Sequence, residues 1–271
     1  MRRNMTNVYW LEQTEVDVPT KDDWLSPEET LHLSRLRFAK RRTDWRLGRW
    51  TAKRALAICL NVPDDRQAMA EIEIHAAPSG APEVFLSAQP SAATLSLSHC
   101  SGKAISAVVT SAVALGCDLE QIEPRSDAFV ADYFTAEEQA LIARSSAADR
   151  SRLLALLWSG KESALKALHA GLRLDTRSVI VSLSDSSRSL SGWHPLRVQY
   201  ADDQVFHGWW QQAGDLVQTV VSAPPPDPPV RLQSRGCVAS RSSARIEDDA
   251  ESAVFSQRTA HHGKTHLLGT W

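Results

Sequence analysis

Apolar and polar positions follow two periods along this chain. From Trp24 to Leu60, in WLSPEETLHLSRLRFAKRRTDWRLGRWTAKRALAICL, apolar residues recur every three or four positions, which predicts helix. Ser26 is suited to cap it, Pro27 fits the first helical position, and Glu29 closes a capping box. YFTAEEQALIARS, from Tyr133, starts the same way, with Thr135 as cap and Glu138 as its partner. LLALLWSGKESALKAL, from Leu153, predicts a further helix. Short runs rich in β-branched residues predict strands: EIEIHAA, TLSLSHC, AISAVVT, VALGCDLE, RSVIVSL, LRVQYA and LVQTVVSA. The mixture is α+β.

The pattern fails at the C-terminal end. Pro224-Pro225-Pro226-Asp227-Pro228-Pro229 suits neither helix nor a central strand, and the Ser/Arg-rich residues beyond it lack sustained period. Residues 224–271 therefore read as a disordered tail. Within the 271 residues, 43% are hydrophobic, enough for a sizeable core. The net charge of -2 argues against a nucleic-acid binder. The four cysteines form no CxxC pair, which fits a reducing compartment and neither a disulfide framework nor a zinc site. The N-terminus has no apolar signal-peptide core and no apolar run is long enough to span a bilayer, so a soluble cytoplasmic protein with no membrane partner is expected.

The chain also resembles itself. WLEQTE (Trp10–Glu15) resembles DLEQIE (Asp118–Glu123), Leu25–Glu29 resembles Phe134–Glu138, and GRWTAKRAL from Gly48 resembles GKESALKAL from Gly160. The matches come in the same order at an offset near about 110 positions, which suggests a duplicated unit. Two halves are expected, residues 1–111 and 112–223. In this match Trp10 and Trp50 stand where the second half has Asp118 and Glu162, so any acidic site is single.

In GCDLE, Asp118 and Glu120 share one face of an extended strand, where like charges repel unless a cation or water separates them. Glu162 lies on a nearby helix with Lys166 one turn on. Each feature alone is ordinary surface charge. Together, three carboxylates make a hard, oxygen-rich site suited to Mg²⁺, which commonly bridges substrate phosphates.

GCDLE (Gly116–Glu120) followed by WSGKESALKA (Trp158–Ala167) resembles the paired signature of the Sfp-type 4′-phosphopantetheinyl transferases, G-x-D-x-E and then W-x-x-K-E-[AS]-x-x-K. The resemblance runs from about Val8 to Ala223. It implies a pseudo-duplicated fold with the active site in the cleft between two similar α/β halves, acting as a monomer. It implies transfer of the phosphopantetheine arm of coenzyme A to a serine of an apo acyl or peptidyl carrier protein, with release of adenosine 3′,5′-bisphosphate. By similarity, Asp118, Glu120 and Glu162 would hold Mg²⁺, and Glu162 and Lys166 would be catalytic. Arg49, Lys53, Ser98, His99 and Lys161 would contact coenzyme A. Two positions depart from the family: Ala81 stands where a lysine is usual before the histidine strand, and His169-Ala170-Gly171-Leu172 keeps only the second glycine of G-x-G-L. The competing readings are a different Mg²⁺-dependent phosphohydrolase and a non-catalytic module that binds coenzyme A or a carrier.

Overall fold

The computed structural model describes residues 6–183, 192–201 and 204–233. The first half contains β1 (Tyr9–Thr14), α1 (Pro27–Arg35), α2 (Ala39–Leu60), α3 (Arg66–Ala70), β2 (Ile72–Ala76), β3 (Pro82–Leu86), β4 (Gln89–Pro90), β5 (Thr94–Cys100) and β6 (Lys103–Val109). The second contains β7 (Ala114–Gln121), α4 (Asp127–Tyr133), α5 (Ala136–Arg144), α6 (Ala147–Ala167), β8 (Val179–Leu183), β9 (His194–Tyr200), β10 (Gln204–Ala213) and β11 (Leu216–Ala223). A last strand, β12 (Val230–Arg231), follows. The class is α+β, as the sequence pattern indicates.

One sheet has the order β12-β1-β6-β5 and a second the order β7-β11-β10-β9-β8, while β2-β3-β4 form a small third sheet. Neighbouring strands are antiparallel except β1 and β12. Strand alternation distributes the three largest apolar cores among the described residues. Leu11, Leu95 and Val108 pack with Ala52, Ala55 and Leu56 of α2. Val198, Phe206 and Val221 pack with Leu157, Ala164 and Leu165 of α6. Trp10, Ile105, Leu115, Cys117, Leu119 and Val220 fill the core shared by the two main sheets, where Trp10 meets Trp193 edge to face at 5.5 Å. Each main sheet therefore buries one face against its own long helix and the other against its neighbour.

The expected caps form. Ser26 Oγ accepts from Glu29 N while Glu29 Oε2 accepts from Ser26 N at 3.0 Å, and Thr135 and Glu138 repeat the exchange. The single helix predicted from Trp24 to Leu60 is two. Leu36 and Phe38 are extended, so α1 ends and α2 starts in a new direction.

Both capping glutamates continue inward. Glu29 meets Lys53 of α2 at 2.5 Å, and Glu138 meets Lys161 of α6 at 2.8 Å; both lysines are fully buried. Lys53 Nζ also donates to Trp24 O and Met69 O, and Lys161 Nζ to Thr176 O and Val179 O. The other glutamate oxygens accept from Ile74 N and Val181 N, tying α1 to β2 and α5 to β8. The same arrangement thus occurs twice among the described residues, but not in the register of the sequence match. That match pairs Arg49 with Lys161, whereas the structure gives Lys53 and Lys161 the same role, one helical turn away. The strand match shifts too. Trp10 faces the core between the sheets, while Gly116 and Asp118 face α6, so Leu11 and Gln13 hold the helix-facing side in the first half.

The expected tail is also corrected. Residues 224–233 run along the outer edge of β1, with Thr6 bridging Pro226. Val230 N donates to Val8 O at 2.9 Å and Leu232 N to Trp10 O at 2.7 Å. Proline lacks a donor, but an edge strand needs donors only on the paired side, and here non-proline residues supply them. The segment covers an edge that would otherwise expose unpaired backbone. The rest of the expected tail, 234–271, lies outside the described residues.

Candidate functional site

Two elements bring the acids together. Asp118 and Glu120 project from β7 toward α6, which carries Glu162 and Lys166. The approach is close because position 116 is glycine. A Cβ there would lie 1.8 Å from Ser163 O and 2.8 Å from Ser163 C, both backbone atoms. This explains the glycine in GCDLE: it lets strand and helix touch backbone to backbone and sets the depth of the carboxylates. Gly116→Ala is expected to lower the urea-unfolding stability by about 3 kcal/mol, at the upper end for overpacking. An unchanged urea midpoint would disprove this account.

Lys166 Nζ lies 2.8 Å from Asp118 Oδ1 and 3.0 Å from Cys117 O. Burial works against its charge, but Asp118 and Glu162 outweigh that, so its pKa is pushed above the ordinary lysine value. Ser98, on β5, donates to the same Asp118 oxygen at 2.9 Å. Arg125 holds Glu120 at 3.1 Å. Among the described residues, two buried carboxylate oxygens have no hydrogen-bond partner, Asp118 Oδ2 and Glu162 Oε1. Burial, reinforced by Asp118, pushes the Glu162 carboxyl up to about 7. Burial with the same neighbour pushes Glu120 up to about 8, against the pull of Arg125.

Buried polar atoms in folded proteins are normally satisfied, and clustered carboxyls held this far above their ordinary range are relieved by bound protons or by a cation. The donor set fits a hard dication: its donors are carboxylate oxygens, and its two orphan oxygens come from different elements. The donor atoms of Asp118, Glu120 and Glu162 are not all within 4.8 Å of one another, whereas those of Glu28, Glu73 and His75 are. That second group is a surface ion-pair cluster: His75 pairs with Glu73 at 2.9 Å, and the Glu28 side chain is 76% exposed. Mg²⁺ keeps several waters and needs only one or two direct carboxylates, so a wider set is compatible with it.

His99 follows Ser98 on β5, beside the acids. A Cβ at Gly48 of α2 would lie 3.3 Å from Leu97 Cδ1 and 3.9 Å from the His99 ring, so α2 runs past the same stretch of β5. His99 keeps an exposed surface, yet nearby groups take part of the solvent around its ring and lower its pKa, with Lys166 and Lys40 adding to the fall and Asp44 and Asp118 opposing it. Asp44, paired with Lys40 at 2.6 Å, is a neighbour the sequence reading missed. So is Arg125, which follows Glu120 at a distance that no strand or helix period links to it.

The basic positions divide. Lys53 and Lys161 do not present charge to a ligand: each is 0% exposed and held by a glutamate and two carbonyls. In this arrangement neither ammonium has a face open to a ligand, although both were expected to contact coenzyme A. Burial lowers both pKa values, against the glutamates. Arg49 is also engaged internally, donating to Ile74 O at 2.7 Å and lying 4.9 Å from the Trp45 ring centroid. Ala81 is buried in the turn before β3, and Arg173 from the second half donates to Ser79 O of that turn at 2.9 Å. Val130 and Phe134, between the two motifs, are core residues, and Phe129 and Tyr133 pack against Trp158.

Residues 114–220 match the family model for the 4′-phosphopantetheinyl transferase superfamily, so the chain carries a domain of that superfamily. The matched region runs from the start of β7 into β11 and includes all three acids and Lys166. A comparison with curated proteins gave no match. The superfamily domain supports a phosphopantetheine-transfer function in general. Among the described residues, no helix is long and apolar enough to cross a membrane.

Proposed function

We propose that this protein is a monomeric, cytoplasmic holo-[acyl-carrier-protein] synthase that transfers the 4′-phosphopantetheine arm of coenzyme A to a carrier-protein serine in a cleft between two pseudo-duplicated halves. The observation that carries this reading is the pair of orphaned, buried carboxylate oxygens on Asp118 and Glu162, within the matched superfamily domain. Duplication is supported by the two buried Lys–Glu pairs that continue the capping boxes. One site is expected, because the first half has Leu11 and Gln13 on the helix-facing side of β1.

Asp118, Glu120 and Glu162 would hold Mg²⁺, which when bound neutralises charge on the coenzyme A diphosphate as the phosphoanhydride breaks. The serine Oγ–P bond forms, the P–O bond to adenosine 3′,5′-bisphosphate breaks, and Glu162 takes the hydroxyl proton. Lys166 anchors Asp118 and supplies positive charge toward the 5′-phosphate of the leaving adenosine 3′,5′-bisphosphate, while Ser98 orients Asp118 and His99 meets a phosphate of the donor.

Intact-mass spectrometry of apo-carrier domains incubated with the protein, coenzyme A and Mg²⁺ tests this. A gain of one phosphopantetheine arm, abolished by EDTA, is the expected result. Coenzyme A binding with no gain on any carrier type would favour a binding module, and phosphoester turnover without a carrier would favour a hydrolase.

The acids also predict a pH dependence for the metal-free protein. Glu120 and Glu162 have folded-state pKa values, about 8 and about 7, above the usual carboxyl value. The folded chain therefore binds more protons than the unfolded chain between those limits. Their stabilising contribution is fully present below the unfolded value and is lost as pH rises through about 7 and 8. In EDTA, melting temperature is expected to fall across this window, and Glu120→Gln should flatten the fall. A flat wild-type profile would remove the argument.

A further inference from the structure

We infer that Arg125 is a resident counter-ion of the acidic site, holding Glu120 while no dication is bound and retreating onto Glu123 when one enters. This rests on the reading of Asp118, Glu120 and Glu162 as cation ligands. One guanidinium nitrogen, Nη2, lies 3.1 Å from Glu120 Oε2 and 3.2 Å from Glu123 Oε1. A single donor is thus shared between an acid inside the site and one at its rim: the Glu120 side chain is 17% exposed and that of Glu123 is 38%. The guanidinium also sits 5.2 Å from the Phe129 ring centroid. Phe129 packs in turn on Trp158 of α6, the helix that carries Glu162. That aromatic contact gives the arginine an anchor independent of Glu120.

The two side-chain cations at the site differ in what a dication would require of them. Lys166 is fixed on α6 and also bonded to Cys117 O, so its position is set by the strand backbone. Arg125 lies between β7 and α4, outside regular structure, and already touches a second carboxylate. It can release Glu120 without being left unpaired. Positive charge a few ångströms from a cation site lowers that site's affinity, and charge withdrawn toward the rim lowers it less. Arg125 and Glu123 should therefore act on metal affinity in opposite directions, which simple structural roles for the two would not produce.

The test uses Mn²⁺ as probe, titrated into the full chain without coenzyme A at pH 8.5. Binding is followed by electron paramagnetic resonance of the free ion, with circular dichroism confirming that each variant is folded. Arg125→Gln is expected to tighten Mn²⁺ binding about tenfold and Glu123→Gln to weaken it about threefold, because Arg125 then has only Glu120. Arg125→Lys, which keeps the charge, should stay within about twofold of wild type and covers a failure of the glutamine variant to fold. Wild-type binding that Arg125→Gln leaves unchanged or weakens overturns this inference alone, as does tighter binding in Glu123→Gln. Absence of Mn²⁺ binding in wild type and every variant overturns the cation-site reading, and this inference with it.

Discussion

Glu162→Gln is expected to lower kcat for arm transfer by about 10³-fold, within the range for removing a positioned acid–base group. The substitution keeps the shape of the side chain and removes its charge. In the wild-type protein Glu162 Oε1 is buried without a hydrogen-bond partner, and its carboxyl is pushed up to about 7. Ionising it in the folded state costs stability, and glutamine does not ionise. At pH 8 in EDTA the variant should therefore melt at or above the wild-type temperature. Loss of transfer without loss of stability separates a functional acid from a structural one. Retained transfer would remove Glu162 from the mechanism, and a large drop in melting temperature would mean that the acid holds the fold together. Intact-mass kinetics on the apo carrier and a thermal melt on the same sample read both quantities.

Lys161→Met should give the opposite result. Lys161 Nζ is fully buried against Glu138, Thr176 O and Val179 O. Methionine fills similar volume but leaves the Glu138 carboxylate without its cation. Breaking a buried pair from one side costs about 3–5 kcal/mol. Glu138 would keep its bonds to Thr135 N and Val181 N, so the loss should be partial unfolding stability and not local collapse. Adding Glu138→Gln should restore part of the stability, because the uncompensated charge is gone. Residual enzyme should keep its KM for coenzyme A. A selective rise in that KM with unchanged stability would return Lys161 to the ligand and refute the structural assignment. Urea unfolding gives the first quantity, and initial rates against coenzyme A concentration give the second. Lys53→Met in the first half should cost a similar amount, since its partners are of the same kind.

Neighbouring residues of one motif thus separate into different roles. In GKES, Lys161 and Glu162 are adjacent, yet helix geometry turns Lys161 toward α5 and β8 and Glu162 toward β7. Sequence spacing shows that the two point in different directions, but not which direction meets a ligand. The same limit applies to Lys53, whose match to a basic helix pattern does not reveal that Glu29 waits behind it.

Local features are written directly into the chain. Capping boxes are encoded within four residues, so Ser26–Glu29 and Thr135–Glu138 form where the pattern places them. Strand alternation puts Asp118 and Glu120 on one face, and the paired motif singles out Glu162 and Lys166 as their neighbours. The tertiary structure decided what depends on partners distant in the chain. It gave Lys53 and Lys161 the same role against a capping glutamate, one helical turn away from where the sequence match pairs the two helices. It laid a proline-rich stretch and the short strand after it along a sheet edge, because β1 offered unpaired backbone that residues 224–233 could satisfy. It also gave Gly116 its meaning, since only the contact with Ser163 of α6 shows why a side chain there is excluded. Periodicity records which face of an element is apolar; what that face meets is settled when the distant segments pack.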